Sequence, residues 1–172
     1  MLGEKLEGGR RIDPSNGLIM PWYTSPCLEW LSTIDLKGKY VFEYGLGDSS
    51  EWFIQKSAIT CGVDHNLAYV PKQRGAYYMV ALTEESYSGI SIMRFVDSFD
   101  IIVIDGIHRD KCTKYALQKL KHGGYLIIDN FHQKSADLEH WPLTDKLIEG
   151  MPITIYKEPG HEDWQTAVIT KQ

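Results

Sequence analysis

Short apolar runs recur along this chain, and most of them do not alternate with polar residues. "KYVFEY" (39–44), "AITCGVD" (58–64), "AYYMVAL" (76–82), "FDIIVID" (99–105) and "YLIID" (125–129) are the main ones. Apolar runs without a period of two are the pattern of parallel strands covered on both faces. Between them lie segments that predict helices: 49–57, a stretch over 67–74 broken by Pro71, and 111–124, where Gly123 and Gly124 close the helix. An earlier helix is capped by Ser25, opened by Pro26, and ends near Thr33. Strands alternating with helices predict an α/β domain of three layers, built on a doubly wound, mostly parallel sheet. Two last runs, 152–158 and 164–170, flank a Pro-Gly turn and predict an antiparallel C-terminal pair.

Composition narrows the picture. With 172 residues, 43% hydrophobic and 24% charged, the chain suits one domain with its own core, read as a single unit over 25–172 behind an irregular arm over 1–24. Eighteen Lys and Arg face 23 Asp and Glu, a formal charge of -5, and no basic run is long enough to follow a phosphate backbone. A nucleic-acid partner is therefore not expected. Cys27, Cys61 and Cys112 are odd in number and widely spaced, which suits neither a disulfide framework nor a zinc site and points to a reducing compartment, the cytoplasm. No apolar stretch approaches the roughly 20 residues that span a bilayer, and the N-terminus carries no apolar leader, so no membrane partner is expected.

The turn "EYGLGDSS" places Gly45 and Gly47 where a strand gives way to a helix, so backbone can approach a ligand closely there. Glu43 and the loop amides would hold the polar end of a nucleotide-type cofactor; otherwise the segment is a tight βα turn. Asp64 ends the next strand 19 residues after Gly45, where a carboxylate can accept both hydroxyls of a ribose. Its other reading is a cap for the segment from Asn66 onward. The third glycine of a dinucleotide fingerprint is missing, Ser50 standing three after Gly47, which weighs against a nicotinamide cofactor.

"VFEYGLGDSSEWFI", "CGVDHN", "FDIIVIDGIHRD" and "LKHGGYLIIDNFH" follow one another in an order and spacing that resemble the class I S-adenosylmethionine-dependent methyltransferases, over roughly residues 39–132. The resemblance implies a Rossmann-like fold and S-adenosylmethionine as cofactor. It would put Glu43, Gly45, Gly47 and Ser49 against the methionine part, Asp64 on the ribose, and Asp105 beside the transferred methyl. Ser49 departs from the family pattern, where many members carry a further glycine.

A narrower likeness is to metal-assisted small-molecule O-methyltransferases of the catechol and macrolide-sugar types. It implies that Asp105, Asp129 and Asn130, at the ends of two neighbouring strands about 4.8 Å apart, would hold Mg²⁺ against the acceptor oxygen. Asp129 or Asn130 could instead cap the segment that follows. The catechol-type lysine has no counterpart. His108, three residues past Asp105, is the candidate base, since an imidazole of unperturbed pKa about 6.5 accepts a proton at neutral pH; a solvent-facing helix start is its alternative. His132 is the second candidate base. Arg109 reads as a solvated surface arginine or a contact for an acidic acceptor. Trp22 and Tyr23 read as packing against the first helix, or as closing over the ligand. The acceptor, a small molecule such as a sugar hydroxyl, would meet the arm 1–24, the segment 83–98, the loop 131–142 or a partner subunit of a homo-oligomer. A cofactor-binding protein without transferase activity is the alternative, and a nicotinamide oxidoreductase a more distant one.

Overall fold

In a computed structural model, residues 5–7, 9–56, 58–71, 77–96, 98–132 and 141–172 are described. The arm begins with a hairpin, β1 (Lys5–Glu7) against β2 (Arg10–Ile12). The domain then runs α1 (Ser25–Ser32), β3 (Tyr40–Tyr44), α2 (Asp48–Gln55), β4 (Ile59–Asp64), a single 3₁₀ turn (Leu67–Tyr69) and β5 (Tyr77–Val80). A π-helical turn (Ser86–Ile90) leads into α3 (Ser91–Met93), followed by β6 (Phe99–Ile104), α4 (Arg109–Lys119), β7 (Leu120–Ile128), α5 (Pro142–Ile148), β8 (Ile153–Glu158) and β9 (His161–Thr170).

The main sheet has seven strands in the order β5-β4-β3-β6-β7-β9-β8, with β9 antiparallel to both of its neighbours and the other pairings parallel. Alternation along the central strands divides the core between two faces. Phe42, Tyr44, Ile102, Ile104, Leu126 and Ile128 pack on the side of α3 and α4. Val41, Ile101, Val103 and Ile127 pack on the side of α1, α2 and the arm, against Leu31 and Phe53. Each such buried aliphatic side chain stabilises the fold by about 1.5–3 kcal/mol over its exposed state. The three-layer, mostly parallel expectation is borne out.

Several local expectations are corrected. Thr24, not Ser25, precedes the first turn of α1, and its side chain makes no capping bond. The helix start is held by Glu158 of β8, whose carboxylate accepts from the Ser25 amide at 2.5 Å and from its hydroxyl at 2.9 Å. α4 begins at Arg109 and ends at Lys119, so Gly123 and Gly124 lie inside β7 and close no helix. They form a bulge: Gly123 has φ of 73°, and a side chain on Gly124 would meet the Asp100 carbonyl at 2.9 Å. The expected helix over 67–74 shrinks to its 3₁₀ turn, with residues 72–74 outside those described. The π-turn and α5 carried no periodic signal.

Candidate active site

The site lies at the C-terminal edge of the sheet, where open α/β sheets bind ligands. After β3 the chain turns at Gly45, with φ of 89°. A Cβ there would sit 2.6 Å from the carbonyl group of Asp105 and the amide nitrogen of Gly106. A Cβ on Gly106 would meet Tyr87 Oη at 1.9 Å and Gly45 Cα at 2.9 Å. The loops after β3 and β6 therefore touch glycine to glycine, which explains the Gly of "IDG" on packing alone. Asp64 braces the first loop from below: one oxygen accepts from the Leu46 amide at 2.9 Å, the other from the Asn66 amide at 2.7 Å.

Over this junction opens a cavity of about 670 Å³, in the range of small-molecule sites. Gly45, Gly47, Ser49 and Asp105 form its floor, the segment 68–71 one wall, and Trp22 with Gly9 and Arg10 of the arm another. Arg10 ties the arm to α2, its guanidinium 3.0 Å from Asp48 and 2.9 Å from Glu51. The two aromatic residues of the arm divide the roles expected of them: Trp22 is 41% exposed at the cavity, whereas Tyr23 is fully buried.

Strand parity brings Glu43, Asp105 and Asp129 to the face that α1 and α2 cover. Glu43 is fully buried, and neither carboxyl oxygen meets a hydrogen-bond donor in good geometry among the described residues. Burial pushes its pKa up to about 8; the nearby Ser50 and Ser49 hydroxyls oppose the shift, and Asp105 adds to it. Asp105 and Asp129 are likewise raised by burial, and Asp129 further by the charge of Asp105. Tyr23 stands beside all three, its phenol raised by burial and by those charges.

One cation sits in this group. Arg109, at the start of α4, donates from Nε to the Gly106 carbonyl at 2.7 Å and from Nη1 to the Asp129 carbonyl at 2.6 Å. Longer contacts of 3.4 Å run from Nη1 to Asn130 Oδ1 and from Nη2 to Asp105 Oδ1. Its side chain is only 12% exposed. The carboxylate of Asp129 turns instead to the Thr166 hydroxyl of β9, at 2.7 Å.

No protein-family model and no curated protein matches the sequence. Solved structures do. The magnesium protoporphyrin IX methyltransferase of Synechocystis with bound SAM superposes with a TM-score of 0.60 at 13% identity, over 86% of this chain and 77% of that one. A methyltransferase of the mycinamycin biosynthetic pathway, in complex with Mg, SAH and mycinamycin VI, gives 0.61 at 15% identity, over 88% of this chain and 50% of that one. An rRNA methylase from Streptococcus thermophilus gives 0.55 at 13% identity, over 86% of this chain and 95% of that one. The fold is that of the class I S-adenosylmethionine-dependent methyltransferases.

Within the class I methyltransferase fold, the residues singled out in the sequence separate into groups. Gly45, Gly47, Ser49 and Asp105 line the cavity, and Glu43 lies buried behind it. Asp64 is absent from the described lining, both its oxygens being engaged by backbone amides. Of the residues expected to hold Mg²⁺, Asp105 Oδ1 and Asn130 Oδ1 face the Arg109 guanidinium, while Asp129 offers it the main-chain carbonyl and its Oδ1 accepts from Thr166. Arg109 itself is corrected from a surface residue to a nearly buried one. No helical spacing signalled this, because Asp105 lies in the loop before α4 and Arg109 is the first residue of the helix.

The two histidines occupy strained backbone. His108, Asn130 and His132 have φ of 53°, 49° and 54°, the non-glycine residues with positive φ among those described. Such conformations cost roughly 1–3 kcal/mol each and concentrate at functional sites. His108 does start α4, as its alternative reading held, with Nδ1 3.5 Å from Glu84 Oε2 and its ring packed on Tyr87. His132 Nε2 lies 2.8 Å from Asp145 Oδ1, with Phe131 against the ring. Of the expected acceptor-site segments, 133–140 and part of the arm lie outside the described residues. Among those described, no helix is long and apolar enough to cross a membrane.

Proposed function

We propose that the chain is an S-adenosylmethionine-dependent methyltransferase acting on the hydroxyl of a small molecule, with a sugar as the acceptor class that the sequence resemblance favours. The observation that carries this reading is the cavity whose floor joins the close-packed Gly45–Gly106 junction to Asp105, with the unsatisfied carboxyl of Glu43 behind it. The cradle admits a ligand against bare backbone, and the Asp105 carboxyl at its floor can face a cationic one. When bound, S-adenosylmethionine supplies an electrophilic methyl on a sulfonium and a second positive charge on its ammonium.

The chain's own part is to orient and to remove a proton. Trp22 and the segment 68–71 would close around the adenosine end, Gly45 and Gly47 would let the polar end reach the loop amides, and Asp64 would support that loop from beneath. His108, on the loop that follows Asp105, would take the acceptor's proton, its ring oriented by Glu84. Rate enhancement would rest on positioning for in-line displacement together with this proton removal. The net charge of -5 favours a small acceptor over a nucleic acid.

Calorimetry with S-adenosylmethionine, S-adenosylhomocysteine and NAD tests the reading. Micromolar binding of both sulfur ligands and none of NAD is expected, and binding of NAD alone would reject it. Cofactor binding without turnover on any hydroxyl acceptor would favour the non-catalytic alternative.

A further inference from the structure

We propose that Arg109 is a built-in cation: its guanidinium fills the oxygen cage at the ends of β6 and β7 where metal-assisted O-methyltransferases would place a divalent ion. Four oxygens surround it: the carbonyls of Gly106 and Asp129 at 2.7 and 2.6 Å, and the side chains of Asn130 and Asp105 at 3.4 Å each. A divalent ion binds such oxygens at about 2.0–2.6 Å and would need the same space, so guanidinium and metal are mutually exclusive there.

The electrostatics point the same way. Glu43 and Asp129 are buried on one side of the sheet and Asp105 is partly buried at the cavity beside them, with the Arg109 guanidinium 3.4 Å from the Asp105 carboxylate. A guanidinium keeps its proton at every accessible pH, so this neutralisation is permanent and independent of metal supply. Its planar fork also suits the geometry: donors from Nε and Nη1 fasten one strand end to the next, a tie that a lysine could not reproduce. Thr166 of β9 engages one oxygen of the Asp129 carboxylate, Oδ1, at 2.7 Å, so that oxygen already has a donor. The inference concerns the cage alone and holds or falls independently of the methyl acceptor.

Mn²⁺, an oxygen-seeking paramagnetic probe, tests it without an activity assay. Wild-type protein titrated with Mn²⁺ should leave the electron paramagnetic resonance signal that of the free ion. Arg109→Ala should lower the Tm by roughly 5 °C, the scale of lost charged hydrogen bonds in a chain of this size. It should also bind one Mn²⁺ at least about tenfold more tightly than wild type, as expected when a nearby positive charge is removed. Mn²⁺ or Mg²⁺ should restore part of its Tm, and adding Asp105→Asn should cancel both effects. Stoichiometric Mn²⁺ binding by the wild type that is lost in Asp129→Asn would overturn the proposal, and so would a folded Arg109→Ala protein that gains no Mn²⁺ affinity. If Arg109→Ala does not fold, the wild-type titration alone decides, with Arg109→Lys expected to fold and to leave Mn²⁺ unbound.

Discussion

Gly45 and Gly106 meet so closely that a Cβ on Gly106 would lie 2.9 Å from Gly45 Cα and 1.9 Å from Tyr87 Oη. Gly106→Ala should therefore cost stability on the scale of an overpacked core, about 1–3 kcal/mol, and weaken cofactor binding with it. The Tyr87 hydroxyl is buried and meets no hydrogen-bond partner in good geometry among the described residues. Tyr87→Phe alone should thus be near neutral, and combined with Gly106→Ala it should recover part of the loss. Urea denaturation of the four proteins measures the coupling; strictly additive effects would show that the two residues do not compete for the same space.

Glu43 should make stability depend on pH in the direction opposite to a salt-bridged carboxylate. Its folded pKa of about 8 lies above the ordinary 4.5, so between those values the folded state holds a proton that the unfolded state has released. Stability conferred by the neutral carboxyl is then complete below about pH 4.5 and is lost as pH rises towards 8, at up to about 1.4 kcal/mol per pH unit. Glu43→Gln keeps the shape and removes the titration. Relative to wild type, the variant should gain stability between pH 5 and 8 in chemical denaturation, and parallel pH profiles would mean that Glu43 is ionised in the folded protein.

Asp64 acts through the loop above it. Asp64→Ala leaves the Leu46 and Asn66 amides without their acceptor, at about 1–3 kcal/mol for a buried donor. Affinity for S-adenosylhomocysteine should fall at least about tenfold by calorimetry. Asp64→Asn retains a single acceptor oxygen and should fall between the two. Unchanged affinity in Asp64→Ala would remove this residue from cofactor binding.

The proton acceptor can be assigned by comparing the two histidines. With the cofactor's dissociation constant unchanged, His108→Asn should lower kcat by about 10²–10⁴-fold, the usual contribution of a general base. Asparagine also tolerates the left-handed backbone at this position. His132→Asn should affect turnover less, acting through the contact with Asp145 of α5. A larger loss from His132→Asn would transfer the role to it.

The sheet was legible from the chain because strands buried on both faces must be apolar throughout. Alternation along 39–44, 99–105 and 125–129 leaves the shared face open, because strands apolar on both sides carry no mark of inside and outside; the register of β3, β6 and β7 puts Glu43, Asp105 and Asp129 on one face. "GLG" followed by a helix marked the cavity's floor. Gly123 and Gly124 misled because a helix end and a β-bulge both call for glycine, and only pairing with β6 tells them apart. The direction of Arg109 and the engagement of Asp64 by the Leu46 amide were equally out of reach, whereas its contact with the Asn66 amide matches the capping reading that the sequence offered. A side chain's partners depend on which loops converge on it, and that convergence exists only once the strand ends are assembled. The order of strands and polar strand ends thus marked the edge where oxygens gather, while the tertiary structure alone decided that the Gly106 and Asp129 carbonyls, with Arg109 between them, would be among the closest contacts there.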